Sequence, residues 1–279
     1  MFKMNKFYIQ TALFLLSIFV YGDNKTLAAD SDSDSDPDPD LIEVKRIPPP
    51  SYYHTSEQIF GTNVHLLCAD REETKNADKV MEEAAAHLKH YAVNADGYRT
   101  KGNGYEDTML YFRKKCRRNN VTVDKITYTV DDLDKYESTI HQLWDPDIIN
   151  LIDNAYTKTK IVRVYSMNLV MIQQRYKTWK GGREKYFYAL ATKIQLSKDE
   201  AIIAMTSANI IDHHPSDKEY KNKIVKKANL FTTEIDSEDD IRNGKLEKGY
   251  AHLAGYYIQK HKDHVDVTFI ASIDGRSFF

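Results

Sequence analysis

The residues able to do chemistry are few and scattered. Histidines occur as the pair His213-His214 before Pro215 and as His261-Lys262-Asp263-His264, neither at metal-ligand spacing on a helix. Both read as polar turns, the second as a hairpin turn. Asp236-Ser237-Glu238-Asp239-Asp240 lacks the glycine and ligand alternation of a calcium loop and reads as a solvated acidic turn. Gly102-Asn103-Gly104 reads as a turn rather than a phosphate cradle. No serine stands in a nucleophile elbow and no Walker loop occurs. Nothing assembles a nucleophile, a base and an oxyanion hole, so the chain reads as a binding protein and not an enzyme, with no metal and no cofactor. Trp144 and Trp179 could stack on a headgroup, although packing is the commoner use of tryptophan.

Charge sharpens that reading. The chain has 279 residues and a net charge of −2. Residues 30–40 hold six aspartates and no base, so residues 41–279 are slightly positive, too weakly for a nucleic-acid footprint. The densest basic run, Arg113-Lys114-Lys115-Cys116-Arg117-Arg118, reads as a solvated loop or strand edge, with an anionic membrane surface as its functional alternative. Nineteen tyrosines suit walls that are partly apolar and partly wet. Cys68 and Cys116 are the two cysteines, and a disulfide or two buried thiols both fit.

Residues 1–29 have the form of a signal peptide. Lys3 and Lys6 precede an apolar run over 7–20, and Ala28-Ala29 offers small residues for cleavage. Gln10, Thr11 and Ser17 interrupt the run, which is shorter than the ~20 residues of a spanning helix. No other stretch is apolar enough to span. Residues 30–55, with their Ser-Asp repeat and Pro48-Pro49-Pro50, read as a disordered linker. One α+β domain occupies 56–279.

Within it, Ala77, Val80, Met81, Ala84, Ala85, Leu88 and Tyr91 mark a helix over 72–92. Leu133, Tyr136, Ile140 and Leu143 mark a second, with Asp131 and Asp132 as candidate caps and Pro146 beyond its end. Ile148 to Ile152 could add a turn. Strands are expected over 126–130, 161–175, 186–195, 201–211, 250–259 and 265–273, largely antiparallel. Residues 212–248 form a long polar insertion with a helical piece near 220–230, the kind of segment that often serves as a lid.

This order of elements resembles a START lipid-transfer domain. Tyr136–Asp153 with Leu143-Trp144-Asp145-Pro146-Asp147 resembles that fold's helix and Asp-Pro turn. Arg183-Glu184-Lys185-Tyr186-Phe187, Leu253-Ala254-Gly255-Tyr256-Tyr257-Ile258 and the run 265–274 resemble three of its strands. A closer resemblance is to the fam-a family of rodent malaria parasites. It is carried by Asn5–Gln10, Lys25–Ala28, His65-Leu66-Leu67-Cys68, Asn168–Arg175, Glu184–Leu190, Met205-Thr206-Ser207-Ala208-Asn209 and Asp236–Arg242. The resemblance implies a helix-grip fold, a curved antiparallel sheet around a lipid tunnel. It also implies binding and transfer of a phospholipid, such as phosphatidylcholine, and transient contact with a membrane surface. A monomer secreted to the parasitophorous vacuole or host cell follows, although Lys25-x-Leu27-x-Ala29 lacks both ends of the Arg-x-Leu-x-acid export pentamer. The fold's long C-terminal gripping helix has no counterpart after the last strand, where only Asp274–Phe279 follow. The apolar face of Val265, Val267, Phe269 and Ile273 is therefore expected to need a substitute cover, such as the 56–92 helical region, the 212–248 insertion, a partner chain or lipid.

Strand alternation places Tyr128, Tyr188, Leu190, Thr192, Ile203, Met205, Ser207 and Phe269 on one tunnel wall. Arg163, Tyr165, Gln173, His252 and Tyr256 are the headgroup candidates. The alternative function is a secreted host-interaction protein that keeps the fold without efficient lipid transfer.

Overall fold

The computed structural model describes residues 53–103, 109–117, 119–146, 157–178, 181–216 and 218–276. The segment expected to be a signal peptide, most of the expected linker, Trp179 and the turn expected at Ile148–Ile152 lie outside them.

Helix α1 spans Ser56–Asn63. A reciprocal cap starts it: Thr55 Oγ1 accepts from Gln58 N (3.3 Å) and Gln58 Oε1 accepts from Thr55 N (2.8 Å). Helix α2 spans Arg71–Val93, and Asp70 Oδ1 caps it by accepting from Glu72 N and Glu73 N at 2.8 and 3.1 Å. At its other end the Lys125 ammonium donates to the Ala92 carbonyl, a cation placed where carbonyls lack partners. Helix α3 spans Lys135–Trp144. The Asp132 carboxylate accepts from Asp134 N (3.0 Å) just ahead of it, while no side-chain cap forms at Asp134.

The main sheet has ten strands. In chain order they are β1 Arg99–Asn103, β2 Leu110–Cys116, β3 Val121–Val130, β4 Lys158–Ser166, β5 Leu169–Tyr176, β6 Lys185–Ser197 and β7 Glu200–Thr206. After β8 Asn209–Ile211 and β9 Thr232–Glu234 come β10 Glu247–Lys248, β11 Ala251–Lys260 and β12 Val265–Ile273. The order across the sheet is β1-β2-β3-β12-β11-β7-β6-β5-β4, antiparallel throughout, with β10 pairing parallel to β6. Strands β8 and β9 form a separate parallel pair. The chain therefore lays β1–β3, crosses to the far edge for β4, and returns strand by strand to β12 beside β3.

Two strand expectations change. Residues 161–175 are two strands, β4 and β5, folded back at Met167-Asn168. Residues 201–211 break after Thr206, because Ser207 N turns to Ala251 O (2.8 Å) and Asn209 joins β9. The helical piece near 220–230 reduces to one 3₁₀ turn, Lys227–Asn229. The insertion is instead organised by Asn222, 1% exposed. Its amide donates to Thr206 Oγ1 (2.8 Å) and Ser207 O (3.0 Å), and its Oδ1 accepts from Ile224 N and Val225 N.

Apolar residues fill both faces of the sheet. On the outer face Ala77, Val80, Met81, Ala84 and Leu88 of α2 pack with Ile202, Leu253 and Tyr257, together with Ile224, Val225, Phe231 and Leu246 of the insertion. Gly255 permits this approach: a Cβ there would lie 2.0 Å from the Ile203 carbonyl oxygen and 2.8 Å from Leu88 Cδ1. On the inner face Ile59 of α1 and Tyr136, Ile140 and Trp144 of α3 pack with Ile203, Met205, Val267 and Phe269. The 212–248 insertion is thus no lid over the inner face; it and α2 take the opposite side. Val265, Val267, Phe269 and Ile273 are nevertheless buried.

Candidate functional site

Residues opposite one another across an antiparallel pair share a face, so register decides which predicted positions meet. Met205 stands opposite Ala191 on one side and Ala254 on the other, whereas Leu190 stands opposite Thr206. Met205 and Leu190 therefore point to opposite faces. Ile203, Met205, Phe269 and Tyr128 lie on the inner face, while Tyr188, Leu190 and Thr192 lie on the outer face with α2. The expected single wall is two half-walls, slipped by one residue in β6. Ser207 lies past the end of β7, where its hydroxyl donates to Tyr188 O (2.7 Å) and accepts from Ala251 N (3.1 Å).

The five headgroup candidates separate the same way. Arg163 donates to Glu73 Oε1 of α2 (2.7 Å) and to Glu234 O (2.8 Å), and also bonds Thr233. The Tyr165 hydroxyl donates to the same Glu73 oxygen at 2.7 Å. Burial, reinforced by that carboxylate, pushes its pKa well above the usual phenol value. Gln173 Nε2 donates to Tyr188 Oη (2.7 Å) and Glu238 Oε2 (2.8 Å). His252 Nδ1 accepts from Lys223 N of the insertion (3.3 Å), which leaves its Nε2–H to donate to Asp274 Oδ1 (3.1 Å). These four brace the outer packing. Tyr256 alone of the five faces inward, with its ring centroid 5.0 Å from that of Phe269.

Two acidic and basic stretches also differ in part from expectation. In the 236–240 segment Asp236 and Asp239 are exposed, as expected of a solvated turn, while Glu238 and Asp240 reach back to the sheet. Asp240 takes a bidentate pair from Arg175 (2.6 and 3.0 Å), and Glu238 pairs with Lys160. The basic run enters β2, one strand in from the sheet edge. There Lys114 lies 5.6 Å from the Tyr98 ring centroid. Arg113 grips Asp124 of β3 through Nε–Oδ1 (2.6 Å) and Nη2–Oδ2 (2.9 Å).

That Arg113–Asp124 pair was not singled out from the sequence, and it sits on the inner face, in phase with Tyr111 and Ile126. Asp124 is 4% exposed. The signal was present: Asp124 alternates with the apolar Ile126, and Arg113 with Tyr111. Gln174, fully buried, and several phenols also lie on this face. The Tyr176 hydroxyl is buried without a hydrogen-bond partner among the described residues, and burial pushes its pKa up to about 12. The Arg276 guanidinium lies 4.8 Å from the Tyr176 ring centroid. Burial likewise raises Tyr128 and Tyr256 well above the ordinary phenol value. The inner face is thus apolar across most of its width, with the Arg113–Asp124 pair, Gln174 and the phenols as its polar points.

A cleft of about 400 Å³ opens on the outer face instead, lined by residues that include Tyr188, Ser207, Asn209, Lys218, Tyr220 and Tyr250. The Tyr220 and Tyr250 rings stack there at 5.1 Å. The cleft lies between the sheet and the insertion, on the side away from α1 and α3. Cys68 and Cys116 are free thiols, both partly exposed.

No protein-family model matches the chain, and no curated protein matches it. Solved structures do. Human StAR-related lipid transfer protein 5 superposes with a TM-score of 0.51 at 10% identity, over 73% of this chain and 84% of that one. Human STARD10 gives a TM-score of 0.48 at 12% identity, over 70% of this chain and 68% of that one. The chain has the START-like helix-grip fold. Of the predicted site residues, Tyr128, Ile203, Met205, Tyr256 and Phe269 share the inner face of this sheet.

Proposed function

We propose that this chain binds a phospholipid against the inner face of its sheet and carries it between membranes. The observation that carries this reading is a sheet apolar on both sides that packs different elements on each. The outer face is occupied by the 23-residue α2 and the insertion. The described helices on the inner face have only 8 and 10 residues. The fold shared with a human protein named for lipid transfer supports the same reading.

The physics is a solvent exchange. Each acyl CH₂ costs about 0.8 kcal/mol to expose to water, so a diacyl lipid leaves a bilayer only into another apolar environment. The inner face offers Ile203, Met205, Val267 and Phe269 for the chains. The Arg113–Asp124 pair and the phenols of Tyr128, Tyr176 and Tyr256 are the polar points able to orient a headgroup. Binding, not bond-making, is the activity. Phosphatidylcholine is the lipid, and no cofactor is needed. The resemblance of the sequence to the fam-a family supports a Plasmodium protein that acts as a monomer at transient membrane contacts. The N-terminal signal supports secretion to the parasitophorous vacuole or host cell.

Lipid extraction and mass spectrometry of the secreted protein test this, together with transfer of labelled phosphatidylcholine between vesicles. Co-purified phospholipid and saturable transfer are expected. A folded protein with neither would leave the alternative, an interaction protein on the same fold.

A further inference from the structure

We propose that the tip of the β11–β12 hairpin is a divalent transition-metal site, with His261, His264 and Asp266 as its ligands and zinc as the metal. The proposal is independent of the lipid reading and of the inner face.

The geometry starts from the turn. Strand β11 ends at Lys260 and β12 begins at Val265, and His261 N donates to His264 O (2.9 Å) to close the four residues between them. That closure sets the two imidazoles side by side, with centroids 4.6 Å apart and planes 21° from parallel. Asp266, one step into β12, turns its carboxylate to both rings. His261 Nε2 lies 3.2 Å from Asp266 Oδ2, and His264 Nε2 lies 3.5 Å from Asp266 Oδ1. One nitrogen from each ring and one carboxylate oxygen all lie within 4.8 Å of one another. Tetrahedral zinc, with metal–ligand bonds of 2.0–2.2 Å, holds neighbouring ligand atoms about 3.3 Å apart. The two nitrogen–carboxylate distances are close to that spacing, one to each oxygen of Asp266, and with all three ligand atoms within 4.8 Å the site closes on an ion by small side-chain movements.

The groups behind the ligands are those a metal site requires. Asp263 Oδ1 lies 2.6 Å from His264 Nδ1, a carboxylate–imidazole contact that leaves Nε2 as the ring's free lone pair, aimed at Asp266. Thr129 of β3 donates its hydroxyl to Asp266 Oδ1 at 2.9 Å, which fixes the carboxylate's rotation. Surface ion pairs of the usual kind need neither device. Two borderline imidazole nitrogens with one harder oxygen suit zinc, cobalt or copper and not calcium or magnesium, which take oxygen donors. Three protein ligands leave a position for water or for an outside donor. A bound ion would join the hairpin tip, through Asp266 and Thr129, to β3.

The test uses the full chain without an affinity tag, titrated with zinc chloride by calorimetry and with cobalt(II) by visible absorption. One equivalent of metal, cobalt bands of a four- or five-coordinate site and a raised melting temperature with zinc are expected. His261→Ala and His264→Ala should each weaken binding at least about tenfold, while Asp263→Asn should weaken it by a smaller factor. His213→Ala, in the insertion and paired with Glu234, should leave it unchanged. The turn is exposed, so circular dichroism should show all four variants folded. Absence of saturable binding up to about 1 mM zinc, far weaker than a site of this type, would overturn the proposal. So would binding that persists in the His261→Ala, His264→Ala double variant.

Discussion

Tryptophan at position 205 and tryptophan at position 188 should have opposite consequences, and the contrast separates the two sides of the sheet. Met205 is fully buried on the inner face with alanines as its register partners on both flanks, Ala191 and Ala254. An indole there projects from a floor of small side chains into the space an acyl chain would need. Tyr188 is on the outer face, where its hydroxyl accepts from Gln173 and its ring lines the 400 Å³ cleft. Overpacking either site costs about 1–3 kcal/mol. At 188 the lost hydrogen bond adds about 1 kcal/mol. At about 2–4 °C per kcal/mol for a domain of this size, Tyr188→Trp should melt about 4–16 °C lower. Its phosphatidylcholine transfer at 25 °C should be close to that of the unaltered chain. Met205→Trp should slow transfer at least tenfold, equivalent to about 1.4 kcal/mol of lost lipid binding. Vesicle transfer and thermal melting on both variants read the two effects apart. If Met205→Trp transfers normally while a folded Tyr188→Trp does not, the lipid sits in the outer cleft and the assignment of the inner face is wrong.

Three further outcomes follow from particular contacts. Gly255→Ala forces a Cβ to 2.0 Å from a backbone oxygen at a φ of 142°, so the chain should lose about 4 kcal/mol or more and fail to fold, as read by circular dichroism. Asp124→Ala removes the bidentate partner of Arg113 and should cost up to about 3–5 kcal/mol in chemical denaturation. The Arg175 hydrogen bonds hold the Asp240 carboxyl below its ordinary 3.8, so that pair's stabilisation is full above 3.8 and is lost as pH falls through the depressed value. Asp240→Asn should therefore melt lower at pH 7, by no more than about 1 kcal/mol for a part-exposed pair, with the gap closing in acid.

The long elements were legible because their patterns had one reading. The 72–92 periodicity produced α2 to within a residue at each end, and the strict alternation of Val265 to Ile273 produced β12. Where the structure differed, the local signal was missing. Leu169–Tyr176 follows Lys158–Ser166 with no glycine or proline between them, so a turn at Met167-Asn168 reads as continuous strand. Glu238 and Asp240 read as solvated because their cations, Lys160 and Arg175, lie on strands some 60 to 80 residues away in sequence.

The division of the binding wall has a more general cause. Alternation identifies a face only when one side of a strand is polar, and here the central strands are apolar on both sides. Ala189 and Leu190 are both fully buried, as are Ile202 and Ile203, so each strand supplies two equally good phases. Nothing local to β6 distinguishes the side that meets α2 from the side that meets α3. Register with β7 does, since Ala191 opposite Met205 ties the two strands' inner faces together. Such pairing is a long-range property, set by the order in which strands return from the far edge of the sheet. The polar exceptions carry more information than the apolar rule. Asp124 on β3 and Gln174 on β5 are each buried among apolar neighbours, and each lies on the inner face. A buried polar residue at one phase of an otherwise apolar strand costs free energy unless a partner meets it. Such a residue therefore signals a partner to be sought, and Arg113 opposite Asp124 is that partner on β3.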